Sequence, residues 1–208
     1  LLWIEPLWVR PLLALGVSFW VWVLLELLSY RAVNSGFLLS MPGKLLGGFL
    51  VLLPAWVVPL TLRGFPHGEW LVVYLMVLVW GADTGAYFAG HRFGRHKLAP
   101  AISPGKTWEG VAGGLATVLV LAVLAGVFGW QFRGATLALW ILLSLATCLI
   151  SVMGDLFESR LKRAAGVKDS GTLIPGHGGV LDRIDAFTAA APVFALAWLL
   201  WQAPALTV

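Results

Sequence analysis

Apolar residues dominate six stretches of the chain, at roughly 7–28, 37–62, 69–90, 108–130, 134–154 and 186–204, and polar residues are largely confined between them. About 20 apolar residues make a helix long enough to cross the hydrocarbon core of a bilayer. An open sheet could not satisfy its backbone groups in lipid, and these runs lack the period-two alternation of a membrane barrel, so all six are expected to be helices. The pattern therefore predicts an all-α fold, a polytopic transmembrane helical bundle with about six spans in this chain. The second run contains Pro54 and Pro59 and is the one expected to be kinked, re-entrant or differently bounded.

Composition points the same way. Of 208 residues 60% are hydrophobic and only 12% charged, against about 25% charged in an ordinary soluble domain. So little polar surface could not cover so much apolar surface in water, which excludes a soluble globular protein. With one cysteine, Cys148, no internal disulfide is possible, and its apolar run makes it a small core side chain. Trp3, Trp8, Trp70, Trp80, Trp108, Trp130 and Trp201 fall near span ends, where they read as interfacial anchors and packing mass. Glycines four apart, Gly81/Gly85 and Gly110/Gly114, read as close helix contacts.

The placement of charge changes the picture further. Of the 24 charged residues, six lie in 83–109 and ten in 154–185. With six spans, the loops after the first, third and fifth share one side. They carry Arg31, then Arg92, Arg95, Lys97 and Lys106, then Arg160, Lys162, Arg163, Lys168 and Arg183, whereas the opposite loops carry Arg63 and Arg133. The positive-inside rule makes the rich side cytoplasmic. The net charge of +4 suits an anionic headgroup or a polyphosphate. Nucleic acid is a poor partner, because the basic residues interrupt spans and form no long face or tail. Leu1 is not an initiator Met, and we expect native spans to precede residues 1–68, followed by a membrane domain, 69–208, with both charged segments.

Residues 151–185 carry the most chemistry. Helical spacing puts Asp155 on one face with Glu158 or Ser159, and Lys162 and Arg163 follow three and four positions later. Gly166, Gly171, Pro175, Gly176, Gly178 and Gly179 then break the helix and allow backbone N–H groups to close around an anion. Asp182 and Asp185 share a face at the start of the last span. Mg²⁺ takes oxygen ligands, usually one or two carboxylates with substrate phosphates and water. Asp155, Asp182 and Asp185 could supply those carboxylates, and Lys162, Arg163, Lys168 and Arg183 could bind phosphate. The bland alternative is that these charges pair with one another at headgroup level. Their density, the glycines and the cost of an unpaired carboxylate beside an apolar span favour the functional reading.

In residues 80–110, Asp83 interrupts an apolar run and is either functional or a helix–helix hydrogen-bond partner. Ser103-Pro-Gly-Lys106-Thr107 looks like the end of a P-loop, but Pro100 stands where that motif needs its first glycine and no strand is expected before it. It could still be an anion site at a helix start, with Thr107 or Ser103 as cap and Lys106 as cation, or simply a basic juxtamembrane loop. His91 and His96 lack cysteine partners and sit among cations, which opposes zinc there. His177, in Pro-Gly-His-Gly-Gly, could donate to phosphate, shuttle a proton or hold a turn. His67 reads as an exposed loop residue. No Gly-x-Ser-x-Gly elbow or His-Glu-x-x-His is present.

The run Ser159-Arg-Leu-Lys-Arg, then Lys168-Asp169, Gly171 and Pro175-Gly-His-Gly-Gly-Val-Leu-Asp-Arg-Ile-Asp185, resembles the defining motif of the phosphatidate cytidylyltransferases, or CDP-diacylglycerol synthases, without a departure. Gly81-Ala-Asp-Thr-Gly85 and Ser103-Pro-Gly-Lys-Thr-Trp-Glu-Gly110 look like upstream blocks of the same family, in the expected order. The resemblance covers about residues 70–200. It implies that CTP and phosphatidic acid give CDP-diacylglycerol and pyrophosphate at the cytoplasmic face of the bacterial inner membrane. It also implies Mg²⁺ and a homodimer among membrane lipids, and leaves a second cation open.

On that footing Asp155, Asp182, Asp185 and Lys162 are the expected catalytic residues, the three aspartates being the expected metal ligands. Asp83, Ser103, Lys106, Thr107, Ser159, Arg163, Lys168, Asp169, His177 and Arg183 are the expected substrate contacts. The attacking lipid phosphate is already ionised, so no histidine is expected to serve as an essential base. The alternatives are a CTP-dependent lipid-alcohol kinase, a synthase using another lipid phosphate, and a transporter. The last would be expected to show inverted repeats and a midplane site.

Overall fold

The computed structural model describes residues 6–28, 37–171, 173 and 178–202. Six long helices, α1 (Val9–Leu28), α2 (Met41–Arg63), α3 (Gly68–Phe93), α4 (Trp108–Leu124), α5 (Gly134–Ala164) and α6 (Leu181–Gln202), account for the six apolar runs. Each is long and apolar enough to cross a membrane. Helix α4 closes in a single π turn, Ala125–Gly129. The expected helical bundle is therefore present, with one addition. Residues 97–107, expected to be a loop, form an antiparallel hairpin of β1 (Lys97–Ala99) and β2 (Ser103–Thr107), with an irregular register between its two paired positions.

Local chemistry explains where the helices begin and end. Ser40 caps α2 by accepting from the Gly43 N–H at 3.2 Å, and Pro42 sits in the first turn where its missing N–H costs nothing. The helix starts there and not at 37, and it runs on across Pro54 and Pro59, so it spans and is not re-entrant. Helix α5 continues ten residues past the apolar run, because 155–164 keeps helical spacing in its polar residues as well. It ends in a Schellman turn: Gly166 takes φ +72°, and the N–H groups of Gly166 and Val167 donate to the carbonyls of Arg163 and Lys162.

Two close approaches set the site. Antiparallel α3 and α4 pack through their glycines, where a Cβ on Gly114 would stand 3.0 Å from the Ala82 carbonyl oxygen and one on Gly110 3.0 Å from that of Ala86. Helices α5 and α6 meet at Gly154, where a Cβ would come within 2.7 Å of the Asp185 carbonyl oxygen. Small residues let backbones touch, and here they bring Asp155 and the first turn of α6 together.

One buried cluster, with Phe19, Trp20, Leu38 and Phe157, backs the charged end, and a larger one holds the aromatic residues farther along the bundle. There Tyr74 stacks on Trp140 at 4.5 Å and donates to or accepts from Ser144 at 2.7 Å, with Trp130, Phe132 and Phe194 around them. Cys148 is buried, as expected. Trp8, Trp70 and Trp108 are exposed at span ends, Trp80 is exposed but lies in the middle of α3 and not at its end, and Trp130 and Trp201 pack into the aromatic cluster.

Candidate active site

Both charged segments converge at one end of the bundle. Helix α5 is the spine between them, because its polar last third projects side chains to both sides. On the hairpin side, Lys106 from β2 places Nζ 2.7 Å from Asp155 Oδ2 and also donates to the Val152 carbonyl at 3.2 Å. Ser159 donates to the other oxygen of Asp155 at 3.2 Å. Thr107 is buried and caps α4 by accepting from the Gly110 N–H at 3.1 Å, so the hairpin strand runs directly into a helix start. His96 and Glu109 clamp the base of this hairpin through a 2.6 Å contact, with the His96 N–H also directed at the carboxylate. His91 instead stacks on Tyr87.

Asp83, Ser103, Lys106, Thr107 and Asp155 line a cavity of about 590 Å³ bounded by α3, β2, α4 and α5. The Asp83 carboxylate accepts no hydrogen bond from any described residue and lies within electrostatic reach of Asp155 and Lys106. The sequence reading of Asp83 left a helix–helix bond open; the structure turns the residue to the cavity instead.

The other side of α5 faces α2 and α6. Lys162 donates to Glu158 Oε2 at 2.8 Å and to Asp182 Oδ1 at 2.6 Å. Asp182 Oδ2 accepts three more hydrogen bonds, from the Ser170 N–H, the Ser170 hydroxyl and the Gly179 N–H, at 2.9, 2.8 and 2.7 Å. With four donors on two oxygens, Asp182 gathers both ends of the glycine-rich loop onto the start of α6. Asp185, one turn later, accepts from its neighbour Ala186 N–H at 2.7 Å, lies within hydrogen-bond reach of the Glu158 carboxylate, and feels the charges of Asp155 and Glu158. Gly154, Glu158, Lys162, Ser170 and Asp185 line a second cavity of about 380 Å³.

Glu158 was not among the residues singled out as site candidates. Its side chain is 6% exposed, and Oε1 is buried with no N–H donor among the described residues, beside the Asp185 carboxyl. The i, i+4 spacing to Lys162 was visible in the sequence, but that spacing ordinarily marks a solvated ion pair. Only the packing of α6 against Gly154 turns it inward. Ser103 is half-buried at the wall of the hairpin-side cavity, Ser159 is half-buried behind Asp155, and Arg163, Lys168 and Asp169 are exposed and make no ion pair among the described residues. Arg183 lines an apolar groove between α2 and α6 and is not among the residues lining the chamber. His177 lies outside the described residues.

The donor set was tested against a divalent metal. Among the described residues, no group of three or more His, Cys, Asp or Glu side chains could hold a metal ion. Mg²⁺ needs only one or two carboxylates when substrate phosphates complete its shell. Asp155 and the adjoining carboxyls of Asp185 and Glu158 fit that requirement. Asp182 fits it less well, since four donors already use its lone pairs.

The chain matches the cytidylyltransferase family over residues 2–201. It is 49% identical over 191 residues to a phosphatidate cytidylyltransferase of Haemophilus influenzae, covering 88% of this chain and 66% of that protein. It is 51% identical over 156 residues to one of Pseudomonas aeruginosa, covering 75% and 56%, and 46% identical over 129 residues to one of Bacillus subtilis, covering 61% and 46%. The chain thus spans roughly half to two-thirds of the length of these curated relatives. A match over nearly its whole length places the chain in the cytidylyltransferase family.

Proposed function

We propose that this chain is the catalytic membrane domain of an enzyme that joins CTP to phosphatidic acid, giving CDP-diacylglycerol and pyrophosphate. The observation that carries the reading is the meeting of Lys106–Asp155 and Lys162–Asp182 on opposite sides of one helix. Two cavities with cations and carboxylates flank that helix, and each suits one of two anionic substrates. The curated relatives' shared name supplies the substrates.

In the reaction, an oxygen of the lipid phosphate attacks the α-phosphorus of CTP, and the bond from that phosphorus to the pyrophosphate oxygen breaks in line. The main barrier is bringing two polyanions together, so positioning and charge neutralisation do most of the catalysis. The polar hairpin-side cavity suits the triphosphate, with Lys106 and Ser103 as donors and Thr107 fixing the strand. The cavity facing α2, whose walls are largely apolar, suits the lipid phosphate, with Lys162 as its cation. Asp182 holds Lys162 and the glycine-rich loop in place. A bound Mg²⁺ would neutralise phosphate charge and stabilise the departing pyrophosphate, and Asp155 and Asp185, supported by Glu158, would hold it. The attacking oxygen needs no base.

The side bearing the charged loops faces the cytoplasm in this reading, in a bacterial inner membrane, and the assembly is a homodimer, checked by mass measurement in detergent. Incubating the protein with labelled CTP and Mg²⁺, with and without phosphatidate, tests the reaction. Lipid-linked cytidine and pyrophosphate in equal amounts, dependent on phosphatidate, are expected. Phosphorylation of a lipid alcohol, or no nucleotide turnover at all, refutes the assignment.

A further inference from the structure

An apolar groove of about 880 Å³ runs between α2 and α6, walled by Leu52, Trp56 and Leu60 on one side and by Ile184 and Phe187 on the other. It shares Lys44, Gly48, Leu52 and Thr188 with the 380 Å³ chamber that holds Glu158, Lys162 and Asp185. From Lys44 to Leu60 along α2 is about 24 Å at ~1.5 Å per residue. That exceeds one leaflet of a hydrocarbon core about 30 Å thick. We propose that this groove is the lateral doorway through which an anionic lipid reaches the site from the bilayer, with Lys44 receiving its phosphate and Gly48 keeping the passage open. The proposal rests on the reading above and adds to it a path and two residues.

The chemistry of the walls selects the occupant. Lys44 lies in the first turn of α2, is exposed, and makes no ion pair with any described residue. An ammonium at the head of a long apolar wall suits a ligand with a phosphate at one end and acyl chains at the other. A neutral lipid gains nothing from the cation, and a water-soluble nucleotide gains nothing from the wall. The passage itself depends on a missing side chain. A Cβ on Gly43 would run into the Phe37 carbonyl, and one on Gly47 would touch Phe19, so those glycines are packing residues. A Cβ on Gly48 would meet no heavy atom within 4 Å, so nothing in the helix packing demands glycine there.

The test uses the whole chain in phosphatidylcholine vesicles with a photoreactive diazirine in one acyl chain of either phosphatidate or phosphatidylcholine. Phosphatidate is expected to label α2 between 44 and 60 and α6 between 183 and 188. Lys44→Ala should reduce that labelling roughly tenfold, as expected for loss of one charged contact, and Lys44→Arg should restore it. Gly48→Phe should keep the groove labelled but remove label from Phe157 and Leu161 in the chamber. It should also slow turnover of long-chain phosphatidate while sparing a dihexanoyl form that can arrive through water. Equal labelling by phosphatidylcholine, or labelling indifferent to Lys44→Ala, would overturn the doorway. If groove labelling persists but the wild-type chain converts no CTP, the proposed reaction fails and the doorway stands. If the reaction proceeds without groove labelling, the doorway fails and the reaction stands.

Discussion

Asp182→Asn separates two roles that the same carboxylate could play. In the structure Oδ1 holds Lys162 at 2.6 Å, and Oδ2 accepts from the Ser170 N–H, the Ser170 hydroxyl and the Gly179 N–H. Asparagine keeps the shape and one acceptor oxygen but places an NH₂ against a donor on the other side. Hydrogen bonds to a charged group are each worth about 1.5–3 kcal/mol. Breaking a buried ion pair costs about 3–5 kcal/mol, and less here because Lys162 keeps Glu158. A local loss of about 2–3 kcal/mol follows, which is roughly a thirty- to 140-fold rise in opening of the loop. Amide hydrogen exchange at Ser170 and Gly179 should accelerate by that factor, with helix α3 unaffected as an internal control. Product formation should fall in parallel, while the Mg²⁺ concentration for half-maximal rate stays unchanged. Unchanged exchange together with a much higher Mg²⁺ requirement would refute the loop-organising role and make Asp182 a ligand.

Other perturbations read other parts of the site. Lys106→Ala removes the partner of Asp155 and a cation of the hairpin cavity; the apparent KM for CTP should rise roughly tenfold or more, and an unchanged value would demote the hairpin to topology. Gly154→Ala introduces a methyl that would meet both Ala189 and the Asp185 carbonyl at 2.7 Å, so helix α6 must shift. Overpacking of that kind costs about 1–3 kcal/mol, visible as a lowered melting temperature together with reduced turnover. Asp155→Asn should abolish CTP-dependent product formation in protein that still inserts into the membrane, and near-normal turnover would remove Asp155 from the mechanism. Glu26→Gln weakens the 2.8 Å pair to the buried Arg160 that ties α1 to α5, and should destabilise the fold by about 1–3 kcal/mol with the KM for CTP unaltered.

Much of this was legible along the chain. Six apolar runs specify six helices because a backbone in lipid has no other way to satisfy itself. The glycine pairs of α3 and α4 signal close packing, and the structure sets each glycine against the facing helix, Gly85 opposite Thr117 and Gly113, and Gly114 opposite Ala82. The motif from Ser159 to Asp185 identifies the family. Less legible was the hairpin at 97–107. Its short strands carry no alternation, and they are held by the clamp between His96 and Glu109, thirteen residues apart. The length of α5 was underestimated because apolarity marks a span and not a helix, and this helix continues past the apolar run.

The sequence by itself determined the solvent, the helix count, the grouping of charge at one end and the family, since each depends on composition or on residues near one another in the chain. The tertiary structure decided which charge meets which. Lys106 reaches Asp155 across 49 positions because the hairpin seats against α5, and Lys162 reaches Asp182 across 20 because α5 and α6 approach closely at Gly154. The same approach turns Glu158, an ordinary i, i+4 partner by spacing, into a buried carboxylate facing the chamber. It also leaves Lys44, far from any motif, at the junction of that chamber with the lipid-facing groove. Helical periodicity tells which residues share a face, but only packing tells what that face looks at.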